Sequence, residues 1–144
     1  MSLDYEDRGP LSAIKDYSEF NNLDAFYSMT DQIVGEILAD GNPEDQEYDI
    51  IHYFSSLNFA NLEKFVVEVN NTFGNEIYIE DPDECYDEEN KETFFSVSII
   101  ITHPKLDGQA IYDEIVKLVA LCNEYRIAYD GWGTQFDDEE FEGE

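Results

Sequence analysis

A formal net charge of −28, from 35 Asp and Glu against seven Lys and Arg in 144 residues, limits what this chain can fold into. Nearly every carboxylate has to stay in water, because burying an unpaired charge is prohibitively costly. A folded state then needs a core built from a sharply segregated apolar set. The chain has one: 42% of residues are hydrophobic and 15% aromatic, with ten Phe and ten Tyr. The apolar residues fall in periodic runs, while acids gather in loops and at the ends. A disordered polyanion would lack that patterning. One folded acidic domain is expected, within the usual range of ~100–200 residues.

The same charge excludes functions. Nucleic-acid binders draw affinity from basic residues on phosphates, and anionic membrane leaflets repel acidic surfaces. Direct binding to nucleic acid or membrane is not expected; the natural counterpart is a basic surface on another protein. No apolar stretch approaches the ~20 residues that span a bilayer, and Asp4, Glu6 and Asp7 do not resemble a signal peptide. Cys85 and Cys122 are too few for a disulfide framework. A cytoplasmic protein is expected.

Periodicity lays out the elements. The first 23 residues read as an acidic extension in which Tyr17 and Phe20 could dock on the domain. A helix follows with Phe26, Met29, Ile33 and Ile37 on one face, capped by Thr30 or Asp24 and ended by Gly41. Tyr48, Ile50, His52 and Phe54 alternate along a strand. Asn58 caps a second helix with Leu62, Phe65, Val66, Val69 and Phe73 on its face, closed by Gly74. Glu76–Glu80 reads as a short strand, and 83–91 as a solvated acidic connection. Phe95, Val97, Ile99 and Ile101 mark the strongest strand, Thr93–Thr102. The longest helix, 109–125, buries Ile111, Ile115, Leu118, Val119 and Cys122, and Arg126–Asp130 reads as the last strand.

This order, a helix followed by βαββαβ, predicts an α+β fold of the ferredoxin-like type. Four antiparallel strands would have both crossover helices on one face and the first and third strands central. The extra N-terminal helix would sit at an edge or on the bare face. Residues 24–136 form the domain in this reading, and 137–144 an acidic tail.

Chemistry-bearing motifs are sparse. His52 and His103 read as satisfied structural histidines, and no phosphate loop, His-Glu-x-x-His or Cys-x-x-Cys is present. Acids from Asp81 to Glu89 lack the glycine and ligand order of a calcium loop and predict only a diffuse cation cloud. No catalysis, metal site or cofactor is expected. The most distinctive run is Tyr129-Asp130-Gly131-Trp132-Gly133-Thr134, followed by Phe136, Asp137 and Asp138. Trp132 is either a core plug in a turn or an exposed aromatic anchor framed by acids; composition alone favours the plug. The candidate partner-binding residues are Asp130, Trp132, Phe136, Asp137 and Asp138.

That run is not alone. Ile37-Leu38-Ala39-Asp40-Gly41, the strand Tyr48–Phe54 with His52, Leu62-Glu63-Lys64 and the Asp81-Pro82 turn accompany it in order. Together, over about Thr30 to Asp138, the chain resembles the RraB-like regulators of ribonuclease E activity. The resemblance implies a small bacterial cytoplasmic protein with a ferredoxin-like fold and no catalysis of its own. It would bind and inhibit an endoribonuclease that initiates RNA decay, on an arginine-rich scaffold region. Two departures stand out: an N-terminal extension of roughly two dozen residues, and an acidic tail limited to Asp137–Glu144. An alternative reading from charge alone is a nucleic-acid mimic or immunity-type inhibitor of another basic enzyme.

Overall fold

Residues 10–74 and 77–134 are described by the structure, a computed structural model. A 3-10 turn at Leu11–Ala13 and a short helix α1 at Tyr17–Phe20 precede the long helix α2, Leu23–Ala39. Then follow β1 (Tyr48–Ser56), α3 (Phe59–Phe73), β2 (Ile77–Ile79), β3 (Asp83–Asp87), β4 (Glu92–His103), α4 (Gly108–Tyr125) and β5 (Ala128–Thr134). The described residues thus form an α+β fold around one antiparallel sheet, ordered β2-β4-β1-β5, with β3 also paired to β4.

The sheet has five strands where four were expected. Asp83–Asp87 is not a solvated connection but pairs in register with Glu92–Ser96. The acids around Cys85 and Tyr86 hid it, yet an edge strand needs backbone pairing more than a buried face, and outward charges are how edges resist aggregation. β2 and β3 lie along the same edge of β4. Their registers differ by one residue across Glu80–Pro82, where proline removes a ladder donor. β1 and β4 are central, and both are long and apolar.

One face of the sheet carries Tyr48, Ile50, Phe54, Val97, Ile99 and Ile101, buried under α2, α3 and α4. The three helix faces read from periodicity are the buried ones: Phe26, Ile33 and Ile37 on α2; Leu62, Phe65 and Val69 on α3; Ile111, Ile115, Leu118, Val119 and Cys122 on α4. Asn58 caps α3 as expected, its side chain accepting from the Asn61 N–H. Gly41 and Gly74 follow α2 and α3 with φ of 92° and 79°, in the left-handed region that favours glycine. The cap of α2, however, is Asn22, which accepts from the Ala25 N–H, rather than Asp24 or Thr30. α2 joins the other helices instead of covering the bare face. It packs along α4 and over the edge strand β5, where the Phe26 ring meets Tyr129 edge-on at 4.7 Å.

The opposite face is covered at one end by the N-terminal segment. Leu11, Phe94 and Ala128 form a second buried cluster, with Ile14, Tyr17, Phe20 and Cys85 packed on it. Tyr17 and Phe20 therefore do dock on the sheet. Glu92 ties this segment down, its carboxylate accepting from the Leu11 and Ser12 N–H groups at 2.6 and 3.0 Å. Asn21, only 2% exposed, then rounds the edge of the sheet. Its amide donates to the Ile127 carbonyl and the Asn123 side chain, and its oxygen accepts from the Tyr129 N–H at 2.9 Å.

Asn21→Ala would remove the partners of the Tyr129 N–H on β5 and of the Ile127 C=O just before it, each worth roughly 1–3 kcal/mol. We expect a loss of about 2–3 kcal/mol in urea unfolding. An unchanged midpoint would show that Asn21 does not hold the edge.

Candidate functional site

The last strand carries two of the candidate residues, Asp130 and Trp132. Gly131, Trp132, Gly133 and Thr134 do not form a turn; β5 runs through them to Thr134, alongside Ile50–Tyr53. The two glycines, read as turn formers, instead accommodate a β-bulge. Tyr129 lies opposite Phe54 and Gly131 opposite Tyr53, so Asp130 is the additional residue, and Gly131 has φ 104°. This insertion resets the pleat. Tyr129 and Trp132, three positions apart, consequently both point into the main core, and both are fully buried.

Trp132 is thus the core plug of the two readings. Its indole N–H donates to Thr30 Oγ1 on α2 at 3.0 Å, satisfying the one polar atom of the ring. It offers no exposed surface to a partner in this conformation, so the exposed-anchor expectation is corrected. Asp130 is also withdrawn, 7% exposed, with its carboxylate accepting from Ser55 Oγ at 2.7 Å. These two residues fix β5 between α2 and β1. Phe136, Asp137, Asp138 and the acidic tail lie outside the described residues.

Beside the plug is a polar centre that sequence did not reveal. Glu114 of α4 is 8% exposed, and its two oxygens meet His52 Nε2 at 2.6 Å and His103 Nε2 at 2.9 Å. His52 Nδ1 meets the Tyr129 hydroxyl at 2.8 Å. Burial raises the Glu114 pKa, but hydrogen bonds from His103 and His52 and attraction to both rings outweigh it, leaving the carboxyl below its ordinary value. An ionised Glu114 only accepts, so each Nε2 carries a proton. In a neutral His52 ring, Nδ1 then accepts the Tyr129 hydroxyl proton. Burial holds that phenol well above its ordinary pKa, so it remains a donor.

This arrangement bridges four elements: His52 on β1, His103 at the end of β4, Glu114 on α4 and Tyr129 on β5. Both histidines are satisfied structural groups, as their sequence setting predicted. The chain also buries Asp87, whose carboxylate accepts from the Glu89 and Asn90 N–H groups and the Asn90 amide. No buried side-chain nitrogen or oxygen lacks a partner among the described residues. Nor, among them, is there a group of three His, Cys, Asp or Glu able to hold a metal. Cys122 is fully buried, and burial pushes its thiol pKa well up, so it is not primed as a nucleophile. No helix of the described residues is long and apolar enough to cross a membrane.

Glu114→Gln would remove the shared acceptor for two buried imidazoles and should cost about 2–3 kcal/mol at neutral pH. The native carboxyl titrates below its unfolded value, so its contribution is full above the ordinary glutamate pKa of 4.5 and declines as pH falls through the lower folded value. The stability gap between wild type and Glu114→Gln, followed by urea unfolding, should therefore close in acid. A gap that stays constant below pH 4.5 would contradict this ionic role.

Comparison with known proteins gives one consistent answer. Residues 28–134 match the profile of the RraB family, described as regulator of ribonuclease activity B. A protein named Regulator of ribonuclease activity B from Idiomarina loihiensis is 30% identical over 123 residues, 85% of this chain and 92% of the relative. A protein of the same name from Aeromonas salmonicida is 37% identical over 108 residues, 74% of this chain and 89% of its own. A third, from Pantoea ananatis, is 35% identical over 106 residues, 74% of this chain and 72% of its own. The matched span runs from α2 to the last residue of β5 and so takes in the polar centre, the bulge and Trp132. This chain belongs to the RraB family, the regulators of ribonuclease activity B.

Proposed function

We propose that this chain is a non-catalytic cytoplasmic regulator that binds an endoribonuclease of the ribonuclease E type and inhibits it, slowing RNA decay. The carrying observation is membership of the regulator family over α2 to β5. The net charge of −28 supports the mode of action, because a polyanionic protein is attracted to the basic, RNA-handling regions of a nuclease. The satisfied histidines and the buried, protonated Cys122 support a binding role over a catalytic one. We read the scaffold as ferredoxin-like, elaborated by a fifth strand. The order β2-β4-β1-β5 supports this, with β3 continuing the edge begun by β2.

In this reading Phe136, Asp137 and Asp138 contact the partner. Trp132 and Asp130 act as positioning residues, anchoring the strand from which those residues follow.

The test is cleavage of a defined RNA by the purified host endoribonuclease, titrated with this protein. Cleavage should slow, and inhibition should survive excess RNA that does not bind the scaffold region. Removing residues 135–144 should weaken inhibition roughly tenfold. Undiminished cleavage at large excess would overturn the proposal. Inhibition relieved by competing RNA would point to a nucleic-acid mimic in the substrate groove. Full potency after truncation would retire Phe136, Asp137 and Asp138.

A further inference from the structure

We propose that the exposed seam between α2 and α4 is a docking surface for a cationic amphipathic segment of the protein partner, an inference that rests on the regulator reading above. The helices run in opposite directions, since Gly108 at the start of α4 lies beside Val34, and Tyr112 beside Tyr27. The Tyr27 and Tyr112 rings meet edge-to-face at 5.0 Å and 85°. Unlike the core aromatics, Tyr27 is 52% exposed, and Val116, one turn beyond Tyr112, is 37% exposed. An aromatic pair and a valine thus form an apolar strip open to water along a helix seam.

Acids line both sides of that strip. Asp24 and Asp31 stand three residues before and four after Tyr27, on the same side of α2. On α4, Asp113 lies three residues before Val116, and Glu124 lies beyond Ala120 along the same side. All four acids are exposed. Gln109 donates to Asp113 at 2.9 Å and fixes its direction. Lys117 is the single basic residue in the sequence of the two helices.

This surface fits one chemistry. An apolar floor accepts an aliphatic side chain, Tyr27 offers a ring face to a guanidinium, and the flanking carboxylates pair with Arg or Lys on either side. A second copy of this chain would bring like charge to the seam and is disfavoured. Nucleic acid is repelled for the same reason. The occupant is a basic helix or extended segment of a protein, with arginines around a leucine-like anchor.

The probe is a synthetic arginine-rich peptide with leucines at i, i+4 and i+7. Its affinity is measured by calorimetry for the wild type, Tyr27→Ala, Asp24→Asn/Asp31→Asn and, as a charge-matched control on β3, Asp83→Asn/Glu84→Gln. Tyr27→Ala and the α2 pair should each weaken binding roughly tenfold, and the β3 pair less than about twofold. Urea midpoints accompany each variant, and the α2 pair, being surface charges, tests the site even if Tyr27→Ala is unstable. Equal losses for the two charge pairs would overturn the proposal, leaving only generic attraction. Unaltered binding by Tyr27→Ala with an unchanged midpoint would overturn it too. If the endoribonuclease is inhibited equally well by Asp24→Asn/Asp31→Asn, the regulator reading stands and this surface falls. If the peptide pattern holds but no inhibition occurs, the surface stands and the ribonuclease target falls.

Discussion

The bulge at Asp130 and Gly131 decides how this fold closes. A regular strand sends residues three apart to opposite faces. One inserted residue sends Tyr129 and Trp132 to the same side, where α2 and α4 pack. Tyr129 then supports Phe26 and Phe54 and hydrogen-bonds to His52, while Trp132 reaches Thr30. Without the bulge one of these two large rings would turn away from the core, and α2 would lose a principal support. Gly131 makes the insertion possible, because a side chain at φ 104° would be strained.

The polar centre solves a related problem of extreme charge. A chain with this many carboxylates still buries Glu114, Asp87 and Asp130, and each is met by donors. Glu114 is the most consequential, because its two histidine partners arrive from separate central strands. A half-satisfied network would be worse than an apolar core. Here one carboxylate ties α4 to β1 and β4, and through His52 to β5. The interior is locally balanced, and the remaining negative charge is left free to act outward.

Most of the scaffold was legible in the sequence because period and apolar faces agree. Phe26, Ile33 and Ile37, the α3 and α4 faces, and the alternation in β1 and β4 all bury as their spacing predicted. What escaped was carried by non-local or backbone effects. β3 is held by backbone pairing under acidic side chains, a composition that mimics a loop. Gly131 and Gly133 looked like a turn because composition does not distinguish turn from bulge. Asn21 and Glu114 are ordinary polar residues in sequence, and partners on other elements, 102 to 108 positions away for Asn21 and 11 and 62 for Glu114, make them structural. Of the candidate partner contacts, Trp132 stood between core plug and exposed anchor, with composition favouring the plug, because sequence alone does not show what its ring meets. Its indole N–H in fact meets a threonine on a helix a hundred residues earlier.

The scaffold and the surface divide their tasks: the core neutralises its few buried carboxylates, and under the proposed function the exposed ones address a basic partner. The proposed function requires that encounter with the endoribonuclease be electrostatically steered. The direct measurement is the association rate constant of the two purified proteins across ionic strength. It should fall by about an order of magnitude or more from low to above physiological salt, with a smaller change in the dissociation rate. An association rate indifferent to salt would contradict the account, because the feature that dominates the sequence would then play no part in finding the partner.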